Sequence, residues 1–387
     1  MSKQKLERIY FEALKKVQAP SIIKDNISLK KDSLKIVDET INLKKIENLY
    51  ILGVGKAAYS MAKECENILK ERISGGIIIS TSKGKLDYLE HFRSTHPEVT
   101  EKSLQGADKL LKICSTLKKN DYFIFLLSGG ASALIEKPID GLNLDDFKKA
   151  SNALLTSGID IKALNTIRKS ISQVKGGKLA NHIKANGKVL VLSDVIGDDI
   201  NIIGSAPMNN GKFFHHIVGN NKIALKNAKN FSKKLVQKVE IVTTTLDKST
   251  KDAALYIKEK ISYYDKKYKS FVLLFGGETT TIVKDKKGFG GRNQELALRL
   301  LLNQSINKNI SILCAGSDGI DGKSNAAGAF IDYDLYSIIK KSKIDPKRYL
   351  DESNSNTFFK KVGYDFVTGI TGTNVMDFII ILKKGEK

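Results

Sequence analysis

A lysine follows two closely spaced glycines in the stretch Leu52-Gly-Val-Gly-Lys-Ala-Ala58. The stretch joins an apolar run to a helix-like segment, so Gly53 and Gly55 permit a tight turn and a close approach of the backbone to a ligand. Amide groups at a helix N-terminus favour an anion, and Lys56 would bring an ammonium group to a phosphate or carboxylate. The third glycine of a dinucleotide fingerprint and the spacing of a Walker A loop are both missing. The alternative is a surface lysine on a tight turn.

Small residues fill a second turn of this kind, Ser128-Gly-Gly-Ala-Ser-Ala133. The hydroxyls of Ser128 and Ser132, with the N–H groups of Gly129 and Gly130, form a candidate cradle for a phosphate or carboxylate. A nucleophilic serine is a rival interpretation, but Gly-x-Ser-x-Gly is absent and no histidine has an evident claim to be its base. Close packing of a helix on a sheet is the purely structural alternative.

Acidic residues follow two other apolar runs. Asp194 comes first in Ser193-Asp-Val-Ile-Gly-Asp-Asp199, and Asp318 lies in Ala315-Gly-Ser-Asp-Gly-Ile-Asp-Gly322. A carboxylate just past a strand either holds Mg²⁺ or accepts a proton from a substrate hydroxyl. We expect Asp194 and Asp318 to divide these two roles, and the residue types do not say which takes which.

Cationic side chains lie near glycines in two more stretches. Helical spacing predicts Arg168, Ser172 and Lys175 on one face, where the cations would suit a carboxylate or phosphate; a solvated face is an equally good interpretation. Gly288-Phe-Gly-Gly-Arg-Asn-Gln-Glu295 brackets Arg292 with glycines and amides, which we interpret as a ligand clamp.

Further ligand contacts are expected from Glu278, Asn293 and Asn374, each in or beside a glycine-containing loop. Several such loops on one chain, with Lys, Arg and Asp distributed among them, are hard to explain by packing alone. The chemistry that they suit is phosphoryl transfer, which needs anion cradles, cationic clamps, Mg²⁺ carboxylates and a base.

The elements that must position these residues alternate between strands and helices. Apolar, strand-length runs occur at 49–54, 76–79, 122–127, 188–192, 240–243, 271–275 and 310–315, with amphipathic helical patterns at 57–72, 103–117, 144–157 and 249–263. This order predicts two three-layer α/β domains with largely parallel, Rossmann-like sheets, which bind ligands at the carboxyl ends of their strands. We predict domains at residues 1–235 and 236–387, with the boundary inside the motif-poor stretch 209–238.

Composition narrows the class of protein. The 387 residues carry a formal net charge of +22, and no apolar run approaches the length of a membrane span. Three widely spaced cysteines form neither a disulfide framework nor a zinc site. Lysine pairs are spread along the chain without interleaved aromatic residues, which favours a basic surface over nucleic-acid binding. We expect a soluble, cytoplasmic protein with small-molecule ligands and no membrane association.

Taken together, the motifs resemble those of the glycerate 2-kinase family, two-part chains with a MOFRL-type C-terminal region. The resemblance rests, in family order, on 53–57, 128–134, 167–180, 193–199, 288–295, 317–329 and 371–377. It implies phosphorylation of the C2 hydroxyl of D-glycerate by ATP, giving 2-phosphoglycerate, in two domains that close on a central cleft. By position, Lys56 and Arg292 match the family's functional Lys and Arg, and Asp194 matches the acid of its Ser-Asp motif.

Four departures from the family pattern leave the exact hydroxy acid and the donor open: Thr100, Ser170, Ala206 and Met208 replace an Asp, a His, a Gly and a Thr. The alternatives are a non-catalytic protein that binds a sugar acid or a polyanion and, ranked lower because no dinucleotide fingerprint is complete, a hydroxypyruvate reductase. Regiochemistry and nucleotide preference do not follow from the residues. The oligomeric state is equally open, with a homodimer among the options.

Overall fold

The computed structural model describes residues 2–156 and 161–385, which form two compact units. Ala19–Gly219 is called the Lys56 unit below, and Met1–Gln18 together with Asn220–Lys387 is called the Arg292 unit. The observed division differs from the predicted one in two respects. The chain crosses between units after Gly219 rather than after residue 235, and the N-terminal segment belongs with the C-terminal part of the chain.

Strands and helices alternate along most of the chain. The strands are β1 Ile27–Lys30, β2 Ser33–Ile36, β3 Glu39–Asn42, β4 Leu49–Val54, β5 Gly75–Ser80, β6 Glu90–Arg93, β7 Tyr122–Ser128, β8 Asn186–Leu192, β9 Phe214–Gly219, β10 Lys238–Leu246, β11 Phe271–Gly277, β12 Ile310–Gly316, β13 Gly328–Asp332, β14 Asp365–Phe366 and β15 Asp377–Lys383. The α-helices are α1 Ser2–Lys15, α2 Ala19–Asn26, α3 Ala58–Leu69, α4 Glu101–Thr116, α5 Ala131–Leu134, α6 Leu144–Thr156, α7 Ile161–Ser170, α8 Asn221–Ser232, α9 Thr250–Lys267, α10 Arg292–Leu302, α11 Asp334–Ser342, α12 Pro346–Asp351 and α13 Ser355–Val362. Every predicted apolar run lies within a strand.

The division of the chain follows from what its first helix buries. The apolar face of α1, which includes Leu6, Tyr10 and Leu14, is buried, and the Tyr10 hydroxyl donates to the Gly316 carbonyl oxygen at 2.7 Å. Burial of that face fixes α1 to the Arg292 unit. The stretch 209–238, predicted to contain the domain boundary, does contain the crossing and also carries β9 and α8.

The Lys56 unit is built on a six-stranded, fully parallel sheet in the order β6-β5-β4-β7-β8-β9. This is the doubly wound Rossmann order, in which the chain leaves the central strand pair in opposite directions. The strands β4 and β7 are therefore the switch point, where a ligand crevice is expected. A separate antiparallel sheet, β1-β2-β3, was not predicted.

The Arg292 unit contains a six-stranded sheet in the order β10-β11-β15-β12-β13-β14. Only β10 and β11 pair in parallel, because β15 runs antiparallel between β11 and β12, and β13 and β14 continue the antiparallel pairing. The predicted pair of α/β domains is thus confirmed. The largely parallel character lies in the Lys56 unit, whereas this sheet is mixed.

The central strands are largely apolar and are buried along their whole length. All seven residues of β7, of β11 and of β12 are buried. The cysteines Cys65, Cys114 and Cys314 are buried free thiols. Within the described residues, no helix combines the length and the apolar character that crossing a bilayer would require.

Candidate functional site

Two strand-to-helix turns meet at the switch point of the Lys56 unit. The Lys56 amide donates to the carbonyl oxygen of Gly129 at 2.9 Å, and the Ala57 amide donates to Oγ of Ser128 at 3.0 Å. Ser128 is 1% exposed. Its hydroxyl therefore joins the two turns. The sequence analysis had instead expected this hydroxyl to contact a ligand.

Glycine is required where these turns approach their neighbours. A Cβ atom on Gly129 would overlap Oδ2 of Asp194, and one on Gly55, whose φ is +139°, would overlap Oγ of Ser128. A Cβ atom on Gly130 would lie 3.0 Å from both Cγ of Lys56 and Cδ2 of His96. The glycine pair thus brings Lys56, Asp194 and His96 together.

Burial and charge set the protonation of this group. Burial raises the pKa of Asp194, opposed by a hydrogen bond to its backbone and by the Lys56 charge. Burial, and then the Lys56 charge, lower the pKa of His96 to about 4, so its imidazole is neutral near pH 7. Lys56 is exposed, and among the described residues no ion pair joins it to a carboxylate. The arrangement offers an available cation, a carboxylate with raised proton affinity and a neutral imidazole.

His96 was missed by the sequence analysis. Its signal was the His-Pro pair in Thr95-His-Pro-Glu-Val-Thr100, a stretch in which only Thr100 was considered. Thr100 itself accepts the Ser103 backbone N–H in a capping box at the start of α4. The change from Asp at that position thus leaves a helix cap intact.

Other predicted ligands of the Lys56 unit have internal roles. Gly53 lies within β4, where a Cβ atom would come within 2.9 Å of the Leu126 carbonyl oxygen, so it serves strand packing. Ser132 accepts a hydrogen bond from the Ser205 hydroxyl at 2.8 Å. Lys175 is 2% exposed and forms a buried ion pair with Glu136.

The predicted shared helical face of Arg168, Ser172 and Lys175 is wrong, because α7 ends at Ser170. Arg168 instead lines a cavity of about 410 Å³ together with Pro97, Glu98, Val99, Phe147, Lys148, Ser151 and Asn152. In the described structure, Nε of Arg168 and Oγ of Ser151 are buried without a hydrogen-bond partner. Pro97, which lines the cavity, directly follows His96 in the chain.

The Arg292 unit gathers its polar residues where β11 and β12 end and β15 begins. Asp377, the first residue of β15, is paired with Gly277 on one side and Gly316 on the other. Nε and Nη2 of Arg292 donate to the two carboxylate oxygens of Asp377 at 2.6 and 3.0 Å. Nη1 of Arg292 lies 2.7 Å from Oε1 of Glu278.

Electrostatics keep this arginine charged. Burial opposes the charge, but Asp377 and then Glu278 raise the pKa of Arg292 above its already high ordinary value. Asp321 caps α10 beneath it, since its carboxylate accepts the backbone N–H groups of Asn293 at 3.0 Å and Gln294 at 2.8 Å. Burial raises the pKa of Asp321 to about 6, against the lowering effect of these hydrogen bonds.

The remaining predicted residues of the Arg292 unit divide between structure and surface. Asn293 is 1% exposed and directs its amide to Asp321, so it supports the helix start. Oδ1 of Asn374 accepts the Met376 amide at 3.0 Å and shapes the turn before Asp377. Asp318 is partly exposed, and its Oδ1 accepts the Ile320 amide at 3.1 Å. Asp321 and Asp377, which sequence reasoning did not select, hold the helix and the arginine.

The donor set decides what kind of metal ion fits. The described residues contain no group of three or more His, Cys, Asp or Glu side chains that could hold a metal. Magnesium commonly binds through one or two carboxylates together with substrate phosphates, keeping several waters. Single carboxylates such as Asp194 and Asp318 fit an ion that arrives with a phosphate ligand, and they do not fit a resident metal centre.

Comparison with known proteins covers nearly the whole chain. A family model described as a domain of unknown function (DUF4147) matches residues 5–213, and the MOFRL family model matches residues 271–377. The chain is 34% identical to the D-glycerate 2-kinase of Thermotoga maritima, over 95% of this chain and 98% of that one. It is 32% identical to the glycerate 2-kinase of Pyrococcus horikoshii, over 98% and 97%. The crystal structure of a glycerate kinase from Thermotoga maritima superposes with a TM-score of 0.87 at 31% identity, over 98% and 99% of the two chains.

Proposed function

The chain belongs to the glycerate 2-kinase family, and we propose that it transfers a phosphoryl group from ATP to the C2 hydroxyl of D-glycerate, giving 2-phosphoglycerate. The observation that carries the proposal is the meeting of Lys56, Asp194 and His96 over the glycine pair at the switch point of a Rossmann sheet. Phosphoryl transfer depends on positioned charges more than on covalent chemistry, and this edge supplies them.

Asp194 is one of two candidates for the base, and Asp318 is the other. The raised pKa of Asp194 increases its affinity for a proton, and its place beyond β8 lets it accept the proton of a substrate hydroxyl. Lys56 then stabilises negative charge on the reacting oxygens. The neutral His96 can donate or accept one hydrogen bond without adding charge.

The cavity lined by Arg168 is the candidate subsite for the carboxylate of the acid. The buried Nε of Arg168 has no hydrogen-bond partner in the described structure, and Lys148 adds a second cation to the cavity lining. A planar guanidinium matches a carboxylate in two-point geometry. Lys175 is left out of this assignment because its ammonium is committed to Glu136.

In the Arg292 unit, the guanidinium of Arg292 is the candidate clamp on the transferring phosphoryl group. Asp377 engages Nε and Nη2, and Nη1, which contacts the exposed carboxylate of Glu278, is the group that an arriving anion would take over. Glu278 and the partly exposed Asp318 flank this edge as polar contacts.

Bound Mg²⁺ would supply charge neutralisation on the donor phosphates. Asp194 or Asp318 would hold such an ion as single carboxylates, which leaves the other acid free to orient or deprotonate the hydroxyl. Use of ATP and Mg²⁺, a cytoplasmic location and the absence of nucleic-acid binding are parts of this proposal that rest on the sequence and on the family.

The test is turnover with ATP, Mg²⁺ and D-glycerate, followed through ADP release. We expect Lys56→Ala and Arg292→Ala each to lower kcat by roughly 10²–10³, because each removes charge stabilisation from the transition state. Lys109→Ala and Arg348→Ala, which remove surface cations paired with Glu90 and Glu352, serve as matched controls with unchanged kcat.

The alternatives give different outcomes. No turnover combined with saturable binding of a sugar acid or a polyanion would favour a non-catalytic binding protein. Oxidation of NADH with hydroxypyruvate would favour a reductase. Full activity in both alanine variants would contradict the assignment of Lys56 and Arg292.

A further inference from the structure

Asp377 is the fixed partner of Arg292, and we propose that it acts as a positioning residue for the reaction. It would hold the guanidinium in one orientation, so that the N–H groups it leaves unengaged meet the transferring phosphoryl group. The inference rests on the clamp role of Arg292 in the proposed function and adds a residue to which the sequence analysis gave no role.

The carboxylate of Asp377 has little freedom to move. The residue is 1% exposed and is the first residue of β15, between Gly277 of β11 and Gly316 of β12. Nδ2 of Asn221 donates to the carbonyl oxygens of Val375 at 2.9 Å and of Asp377 at 3.0 Å, which fixes the backbone on both sides of residue 376. The backbone that carries the Asp377 carboxylate is therefore held in place.

The contact between the two side chains has directional geometry. Nε and Nη2 of Arg292 meet separate oxygens of Asp377, so the planar fork is held at two points and cannot rotate about one. The Asp377 side chain is 2% exposed while that of Arg292 is 34% exposed. The carboxylate of Asp377 is therefore buried, whereas Nη1 of the same guanidinium contacts the more exposed Glu278.

Glu278 provides the contrast within the same site. It contacts Nη1 of Arg292 from the rim, with its own side chain 41% exposed. A rim carboxylate can exchange for an arriving anion at small cost, because water screens the pair. A buried carboxylate cannot be exchanged in this way. The geometry thus assigns positioning to Asp377 and not to Glu278.

A merely stabilising ion pair would predict different behaviour. Its loss would lower the free energy of unfolding and leave kcat of the folded protein unchanged. A positioning residue acts only through the side chain that it holds. Its effect on kcat must therefore vanish when Arg292 is absent.

The experiment is a double-mutant cycle on the full chain with Asp377→Asn, Arg292→Ala and the double variant, using ATP, Mg²⁺ and D-glycerate. Asparagine keeps the shape and one acceptor but removes the charge. We expect Asp377→Asn alone to lower kcat by 10–100-fold with KM changed less than threefold. In the Arg292→Ala background we expect less than a threefold further change. Glu352→Gln, which removes a surface carboxylate paired with Arg348, is the control and should change kcat less than threefold in either background.

The outcomes separate this inference from the proposed function. If Arg292→Ala keeps full turnover, the clamp role itself fails. If Arg292→Ala is impaired and Asp377→Asn lowers kcat by the same factor in both backgrounds, the clamp stands and the positioning role is overturned. Should Asp377→Asn not fold, Asp377→Glu replaces it in the cycle, since the longer side chain keeps the charge but moves the carboxylate out of its two-point contact with Arg292.

Discussion

The two units present their cations in opposite ways. Lys56 is exposed on a strand-to-helix turn of a parallel sheet, and within the described chain no carboxylate pairs with it. Arg292 begins a helix over a mixed sheet and is held at two points by the buried Asp377. A lysine is a compact charge on a flexible stem, whereas an arginine offers a planar fork. The difference indicates that the Lys56 ammonium can move with a reacting group, whereas the Arg292 guanidinium is held in place before a ligand binds.

The supporting backbone differs in the same sense. Around Lys56, glycines remove side chains so that Asp194 and Ser128 approach the turns closely. Around Arg292, a strand inserted antiparallel between β11 and β12 delivers the carboxylate of Asp377. Glycines therefore determine the local structure around Lys56, whereas the carboxylate of Asp377 at the start of β15 determines it around Arg292.

The largest expected effect comes from replacing each cation, in a separate variant, with the other basic residue type. Arg292→Lys cannot form the two-point contact with Asp377, so we expect kcat to fall roughly 10²-fold, almost as far as in the alanine variant. Lys56→Arg keeps a mobile charge at an exposed site, and its loss should stay within about tenfold. Steady-state kinetics of both variants measure the contrast. Equal losses would remove the distinction between a fixed and a mobile cation.

The next effect tests whether glycine shapes the Lys56 edge. In Gly129→Ala the new methyl group would overlap Oδ2 of Asp194, so the carboxylate must move. Displacement of a catalytic group by about 1 Å typically lowers the rate by about 10², and we expect kcat/KM to fall at least about tenfold. Gly106→Ala, within α4, is the control. Its methyl group would lie 3.4 Å from side-chain atoms of Ile79 and Phe92, which is an ordinary van der Waals distance. Normal kcat/KM in Gly129→Ala would show that the close approach is unimportant.

Asp321 and His96 should contribute to the pH dependence of stability with opposite signs. Asp321 has a folded pKa of about 6 against an ordinary 3.8, so between these values the folded state binds more protons. The free energy of unfolding therefore falls as pH rises through this range, by at most about 3 kcal/mol. In Asp321→Asn this decrease should be absent. Denaturant titrations of both proteins at pH 4 and pH 7 measure it.

His96 supplies the opposite case. Its folded pKa of about 4 lies below the ordinary 6.5, so the neutral form is favoured on folding and the free energy of unfolding falls as pH drops through this window. His96→Gln should remove that loss. If either variant kept the same change in the free energy of unfolding with pH as the wild-type protein, the burial that the structure assigns to that residue would be contradicted.

The smallest effect concerns a left-handed turn in the Lys56 unit. Ala206 has φ of +54°, and its carbonyl oxygen accepts the Gly177 amide at 2.7 Å. Glycine is the residue that the family pattern has at this position, and it adopts this conformation without strain. We expect Ala206→Gly to raise the free energy of unfolding by no more than about 1 kcal/mol and to leave kcat unchanged. Thermal unfolding with parallel kinetics checks both, and a loss of stability would show that the Ala206 methyl group contributes packing.

Much of this architecture was predictable because its signals are local. The apolar runs that became β4, β7 and β8 are continuous, and the glycines and the lysine that follow β4 are contiguous in sequence. Resemblance to the family then selected Lys56, Asp194 and Arg292. These side chains lie just after a strand or at the start of a helix, and such places can be recognised in the sequence and are also where α/β sheets bind ligands.

The rest depended on long-range pairing. Nothing near residue 377 indicates that β15 enters between β11 and β12, so the role of Asp377 was not visible. Lys175 and Lys56 are both lysines beside glycines, yet one is buried against Glu136 and the other is exposed. Likewise, the amphipathic pattern of α1 does not specify that it packs on the unit formed by the distant half of the chain.

The most direct test of the account is the identity of the product. Purified protein is incubated with ATP, Mg²⁺ and D-glycerate, and the phosphorylated acid is identified by ³¹P NMR with proton coupling, which distinguishes a phosphate on C2 from one on C3. The account predicts 2-phosphoglycerate from the wild-type protein, with formation slowed in both Lys56→Ala and Arg292→Ala. Absence of any phosphorylated acid, or 3-phosphoglycerate as the main product, would contradict it.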